Sequence, residues 1–195
     1  MTPRLERIRN DLEAARGRVH QIAGALTATQ WATRPAAEEW SVAECVVHLN
    51  LTSRAFLPLL DEALAPGRAP AGRHARARKD LVGWLVWLMT ALRVPVKTTE
   101  PFVPRGPETQ RVALTDFDTL QDEIIRRLER ADGLDVTRLR VVSPFDARLR
   151  YNVYSALKLI AEHQALHLRQ AERAARRVGG TGRGPTSRVD YGVER

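Results

Sequence analysis

Three histidines are the residues of this chain whose types and spacing could carry chemistry. His163 and His167 are four residues apart, and His48 lies far earlier, in a segment that begins at Trp40. On a helix, residues four apart project from the same face, so His163 and His167 could bind one ion together. A third imidazole from another helix would leave one position open, which is typical of catalytic rather than structural zinc sites.

A single histidine on an apolar helix face is usually a core residue whose ring nitrogens are satisfied by hydrogen bonds. Three such histidines on two helices are harder to explain in this way, because each unpartnered buried nitrogen costs on the order of 1 to 3 kcal/mol. A shared metal would satisfy all of them at once. The sequence therefore predicts a divalent metal site made of His48, His163 and His167. Imidazole ligands suit zinc, nickel, copper and iron alike, so the ligand set does not name the ion.

Other polar residues are weaker candidates. Gln170 lies three residues beyond His167 and could orient a ligand or a metal-bound water, although an exposed helix glutamine is an equally good interpretation. Glu44 lies one turn before His48 and could be a base, but a capping role explains it better. We expect His20 and His74 to be solvated surface residues. Cys45, the single cysteine, is interpreted as a small packing residue and not as a nucleophile.

The elements that must position these residues are helices. Apolar residues at spacings of three and four predict a first helix from Leu5 to Leu26. Ser41 with Glu44 forms a capping box, flanked by the staple positions Trp40 and Cys45, and predicts a second helix from about 41 to 64. A third helix is expected to be capped by Thr115 and closed by Gly133, and a last one to run from about Asn152 to Arg177 with both histidines facing inward. The predicted fold is all-α, a four-helix bundle with an inserted loop and short helix.

The organisation predicted around these helices is one domain over residues 1–178 and a disordered Gly/Arg-rich tail over 179–195. Residues 27–39 and 134–150 are interpreted as connectors. Residues 66–107 form the insertion, whose prolines should forbid regular structure from 95 to 109. Within it, Leu81 to Val94 is apolar but too short to span a membrane. Trp84 and Trp87 share a helix face there, which predicts a surface buried in a homodimer or a lid over the site.

The net charge of +8 and a pI near 10.6 raise nucleic acid as a partner, but no aromatic-interleaved basic strand or helix-turn-helix pattern accompanies the charge. Binding to nucleic acid or to a membrane is therefore not expected. The N-terminus lacks the apolar core of an export signal, and one cysteine excludes an internal disulfide framework. We expect a cytoplasmic protein.

The motifs Trp40-Ser41-x-x-Glu44-x-x-x-His48 and His163-x-x-x-His167-x-x-Gln170 together resemble those of the DinB/YfiT-like superfamily, with the likeness extending over about residues 5–178. The resemblance implies a four-helix bundle of up-down-down-up arrangement, frequent homodimers, and a divalent metal on three histidines that map to His48, His163 and His167. It also implies metal-dependent reactions of small molecules, among them transfer of low-molecular-weight thiols. The insertion at 66–107 departs from a minimal member of that family.

The predicted metal site, together with what the resemblance implies, favours a cytoplasmic metal-dependent enzyme of thiol S-transferase or hydrolase type that acts on a small molecule. Zinc, nickel or iron is the expected cofactor, and a low-molecular-weight thiol is a further candidate. The alternative is a non-catalytic metal-binding or stress-response bundle protein. A chemical screen on metal-loaded and metal-stripped protein would separate the two.

Overall fold

The chain folds around four long α-helices in the computed structural model, which describes residues 1–65, 78–84, 100–106 and 108–180. The helices are α1 (Pro3–Gly24), the short α2 (Ala28–Ala32), α3 (Val42–Ala63), α4 (Gln110–Ala131) and α5 (Val153–Gly180). Two short antiparallel strands, β1 (Arg140–Val142) and β2 (Arg150–Asn152), pair Val141 with Tyr151 just before α5. The predicted all-α fold class is confirmed.

Four amphipathic helices enclose an apolar interior that consists of two core clusters. Because α1 and α3 each contact both α4 and α5, the helices form a ring in the order α1, α4, α3, α5. One core cluster joins the start of α1 and of α5 to the ends of α3 and α4, and the other joins the opposite halves. Two helices therefore run one way and two the other, in the up-down-down-up arrangement.

Helix α4 begins earlier than the sequence predicted. Thr115 was expected to cap it, but the helix starts at Gln110, after Thr109 in extended conformation. No proline or glycine interrupts residues 110–114, and tertiary contacts hold this extra turn in place. Ala113 is fully buried, and the Gln110 side chain donates to the Ala23 carbonyl at 2.6 Å. Gly133 closes the helix as predicted, with a positive φ of 83° that favours glycine.

The connector between the first two long helices contains a short helix that the sequence analysis missed. Thr27 and Gln30 form a second capping box at the start of α2. The helix places Trp31 in the core, where its indole Nε1 donates to the Glu108 carbonyl at 3.1 Å. The capping pair was visible in the sequence, but five residues are too few to show helical periodicity.

Two further segments predicted to be irregular carry short regular structure. The interval 134–150 was interpreted as a crossing loop, yet it holds β1 and the first residue of β2. Strands of three residues are too short for an alternating pattern to be recognised.

The proline-containing stretch before α4 holds a 3-10 turn at Glu100–Phe102, with Pro101 inside it. Proline fixes φ near −65°, which a 3-10 turn accepts, and its missing N–H does little harm in so short an element.

Within the insertion at 66–107, the structure describes residues 78–84 and 100–106. Residues 81–84 are helical, as predicted for the Trp-rich segment, and expose Leu81 at 80% and Trp84 at 46%. Trp87, His74 and the tail from 181 lie outside the described residues. Helix α5 extends to Gly180, past its predicted end at about Arg177. No helix among the described residues has the length and apolarity to cross a membrane.

Candidate metal centre

The N-terminus of α3 sets the position of the first histidine. Ser41 Oγ accepts a hydrogen bond from the Glu44 backbone N–H at 3.2 Å, and a Glu44 carboxylate oxygen accepts from the Ser41 N–H at 2.9 Å. This is the predicted capping box, and it is confirmed. His48 follows Glu44 by one turn, is 3% exposed and points toward α5.

The Glu44 carboxylate is held by a partner that the sequence did not reveal. Arg34, from the segment after α2, donates from Nε to both carboxylate oxygens, at 3.0 and 2.9 Å. Burial would raise the pKa of Glu44, but hydrogen bonds from Arg34 and Ser41 outweigh it and hold the pKa below its usual value. Glu44 is thus a charged structural group at a helix start, and not a free base beside His48.

Helix α5 contributes the other two histidines. His48 Nε2 lies 3.3 Å from His163 Nε2, and the ring centroids of His163 and His167 are 4.5 Å apart. The His48 and His167 rings are 4.4 Å apart. One nitrogen from each ring can be chosen so that all three lie within 4.8 Å of one another. The structure therefore brings together the three side chains that the sequence selected.

Two of the rings have a fixed tautomer. His48 Nδ1 lies 2.8 Å from the Phe102 carbonyl oxygen, which can only accept, so Nδ1 carries the proton and Nε2 offers its lone pair. His167 Nδ1 lies 3.1 Å from Gln170 Oε1, which orients the ring in the same way. A carbonyl or amide oxygen behind a histidine is the usual support of a metal-binding imidazole. Gln170 was considered as a residue that could orient a ligand, and it contacts the His167 ring. The role of Phe102 could not be seen in the sequence, because a backbone carbonyl is present in every residue.

All three imidazoles are neutral at physiological pH. Burial lowers the pKa of His48, although the hydrogen bond to Phe102 acts in the opposite direction. Burial and the two neighbouring histidines bring the pKa of His163 well below its usual range. Burial, then His48, lowers the pKa of His167 to about 3, although Gln170 favours the charged form. Neutral imidazole is the form that binds metal ions.

The donor set fits a divalent metal ion. Histidine nitrogens bind zinc at about 2.0–2.1 Å, so two nitrogens that share a tetrahedral ion lie roughly 3.3 Å apart. That is the distance between His48 Nε2 and His163 Nε2. His163 and His167 are half-buried, whereas His48 is buried.

Aromatic rings surround the histidines. Trp40 stacks on His167 at 5.9 Å and lies against His48 at 5.0 Å. Phe145, in the loop between the strands, meets His163 at 5.8 Å and Phe102 at 5.1 Å. Trp40 was predicted only as a staple residue, so its place beside the site is new. These rings lower the local polarity and strengthen interactions between charges at the site.

The other titratable candidates lie apart from the cluster. His20 is exposed on α1 and pairs with Asp118 at 3.0 Å. Cys45 is fully buried in the core, and burial raises the pKa of its thiol to about 12. A thiol that stays protonated is a poor nucleophile, which agrees with its interpretation as a packing residue.

Comparison with known protein families decides the relationship. The model of the DinB superfamily matches residues 11–171 of the chain, which include all three histidines and Gln170. The chain belongs to the DinB superfamily. No curated protein and no solved structure matched it. The fold of this DinB superfamily member and its three-histidine cluster are compatible with a metal-binding helical protein.

Proposed function

We propose that this DinB superfamily protein is a metal-dependent enzyme of the thiol S-transferase or hydrolase type, with zinc, nickel or iron held by His48, His163 and His167. The observation that carries the proposal is the gathering of three neutral imidazoles within 4.8 Å at the junction of α3 and α5. Without a metal, His48 Nε2 and His163 Nε2 would share at most one proton at 3.3 Å.

A divalent ion on these residues would supply Lewis acidity, which brings the pKa of a bound water to about 7 or keeps a bound thiol as thiolate. The role of the surrounding residues is to hold the histidine rings in the protonation state and environment that suit such an ion. Phe102 and Gln170 keep the protons of His48 and His167 on Nδ1, so both Nε2 lone pairs point away from those partners. Trp40 and Phe145 keep bulk water from the faces of the rings.

Among the described residues, Cys45 and Glu44 are weaker candidates for the chemistry than the histidine cluster. The Cys45 thiol has a pKa of about 12 and no exposed surface, and Glu44 is committed to Ser41 and Arg34. We therefore place the chemistry at the histidine cluster, with a small-molecule substrate entering on the half-buried side of His163 and His167. A low-molecular-weight thiol is the co-substrate that we would screen first.

We also propose that the protein is a cytoplasmic homodimer. A lone cysteine suits a reducing compartment. The exposed Leu81 and Trp84 would be covered if their helical segment packed against a second copy of the chain. Sedimentation at micromolar concentration should show a dimer that Trp84→Ser weakens. A clean monomer that remains fully soluble would refute the dimer.

The activity is tested by a screen of small electrophiles and esters, with and without thiols, on protein loaded in turn with zinc, nickel or iron. We expect turnover that disappears on chelation, returns with one of the three ions, and is absent in His163→Ala. Turnover that survives in fully metal-free protein would overturn the proposal. A bound metal with no activity across the screen would favour a non-catalytic metal-binding protein.

A further inference from the structure

A pair of buried amides connects the helix that carries two of the histidines to the opposite corner of the bundle. Gln121 of α4 and Gln164 of α5 are each 1% exposed. Gln121 Nε2 donates to Gln164 Oε1 at 3.0 Å, and Gln164 Nε2 donates back to Gln121 Oε1 at 2.8 Å. Gln121 Nε2 also donates to the Leu12 carbonyl of α1 at 2.5 Å. Three helices therefore meet at one hydrogen-bonded pair.

The stability gained from this pair does not explain why two glutamines are buried in the core. A buried hydrogen-bonded pair adds little net stability, and an apolar pair of similar shape in its place is often neutral or stabilising. A reciprocal amide pair instead restricts the relative orientation of the two helices, because its two hydrogen bonds weaken steeply when the donor and acceptor turn or slide. The best-attested use of a buried polar pair is to fix the register of packed helices.

The rest of the α5 core face gives little such direction. This face combines large apolar side chains with small ones, and apolar contacts of either size have no preferred direction; the large ones include Leu157, Ile160 and Leu168, and the small ones include Ala161, Ala171 and Ala174. Because these contacts are non-directional, they favour one rotation of the helix less sharply than hydrogen bonds do. A side-chain atom lies about 5 to 6 Å from its helix axis, so a turn of roughly 20° would move it by about 2 Å. Metal ligands must be placed within about 0.2 Å.

Gln164 directly follows His163, so whatever fixes Gln164 also fixes the rotation of the histidine beside it. The first histidine has a similar anchor to α4. Asn50, two residues after His48 and 4% exposed, donates from Nδ2 to the Ala113 carbonyl at 2.9 Å. Helix α4 contributes no histidine to the cluster, yet it hydrogen-bonds to both helices that do.

We infer that the Gln121–Gln164 pair is a positioning device, which sets the rotation of α5 so that His163 and His167 face His48. This inference rests on the proposed metal site. It assigns to two residues outside the site a role in metal affinity and coordination geometry.

The test replaces both amides at once, because removing one would leave the other unpaired in the core. The double variant Gln121→Leu/Gln164→Leu is compared with the parent and with Gln110→Leu. Gln110 lies on the same helix and donates to the Ala23 carbonyl, without a hydrogen bond to α5. The probe is Co²⁺ added to metal-free protein near neutral pH, followed by its visible absorption, which reports coordination geometry. Thermal unfolding of the metal-free proteins is recorded in parallel.

We expect Gln121→Leu/Gln164→Leu to fold cooperatively while its Co²⁺ affinity falls about tenfold or more, the size of loss seen when supporting residues of metal sites are removed. Its Co²⁺ spectrum should also differ from that of the parent, and Gln110→Leu should keep both affinity and spectrum. Parent-like Co²⁺ affinity and spectrum in Gln121→Leu/Gln164→Leu would refute the positioning role.

If Gln121→Leu/Gln164→Leu does not fold, Gln121→Met/Gln164→Met takes its place with the same expectations, because methionine is closer in shape to glutamine. Failure of both to fold would show that the amides are needed for the bundle itself, and the inference would be wrong. A parent protein that binds no Co²⁺ would instead refute the proposed metal site, whatever the variants do.

Discussion

The metal-free protein should lose stability steeply below pH 6.5, and the histidine cluster should be the cause. In the unfolded chain a histidine takes up a proton near its ordinary pKa of 6.5. The pKa values of His48, His163 and His167 are all lower in the folded protein, and that of His167 is about 3. The unfolded state therefore binds more protons below pH 6.5, so stability is complete above that pH and falls as the pH decreases.

The pH dependence of the free energy of unfolding follows from the number of histidine rings that stay neutral in the folded protein. Each contributes a slope of about 1.4 kcal/mol per pH unit while only the unfolded form is protonated. Three rings give at most about 4 kcal/mol per pH unit, and solvent access to the two half-buried rings reduces this limit. A domain stable by about 5–15 kcal/mol would lose a large part of its stability within two pH units.

The assay is urea unfolding with a chelator present, from neutral pH down to about pH 5, for the parent and His163→Leu. Leucine removes the titrating ring at similar volume, so the slope should become shallower by about 1.4 kcal/mol per pH unit. His20→Gln removes an exposed histidine outside the cluster and should not flatten the slope. An unchanged slope in His163→Leu would mean that the His163 ring titrates freely in the folded state, which would refute the reasoning.

Two further predictions concern the support of the site. Ser41→Ala should lower the free energy of unfolding by about 1 kcal/mol because it removes a capping hydrogen bond, whereas Thr109→Ala, at a cap position without one, should change it little. Equal losses in urea unfolding would contradict the capping argument. Cys45 should resist alkylation at mildly alkaline pH until the protein unfolds, and Cys45→Ser should leave metal content and turnover within a few-fold of the parent. Rapid labelling of folded protein, or loss of activity in the serine variant with metal still bound, would contradict this.

The sequence was informative where the signal is local and periodic. Ser41 and Glu44 are three residues apart and so revealed the start of α3, and the apolar stripe of α5 predicted which way His163 and His167 face. The start of α4 could not be found in this way. Gln110 and Ala113 are held by contacts with distant parts of the chain, and Thr115 offered a plausible cap in the wrong place.

The surroundings of the site were also beyond the reach of the sequence. Phe102 acts through a backbone carbonyl, which any residue could provide. Arg34 is one of many arginines, and nothing in its neighbourhood marks it as the partner of Glu44. Gln121 and Gln164 each resemble an ordinary helix glutamine, and only the folded bundle shows that they pair. Side-chain pairs between distant helices leave no periodic trace.

The central claim is that three histidines hold one metal ion. Its most direct test is elemental analysis of the protein purified without an affinity tag, together with His48→Ala prepared in the same way. We predict about one zinc, nickel or iron per chain in the parent and almost none in the variant, because two imidazoles hold a labile divalent ion poorly. A parent free of metal that also fails to take up zinc, nickel or iron would contradict the claim, and so would full metal content in His48→Ala.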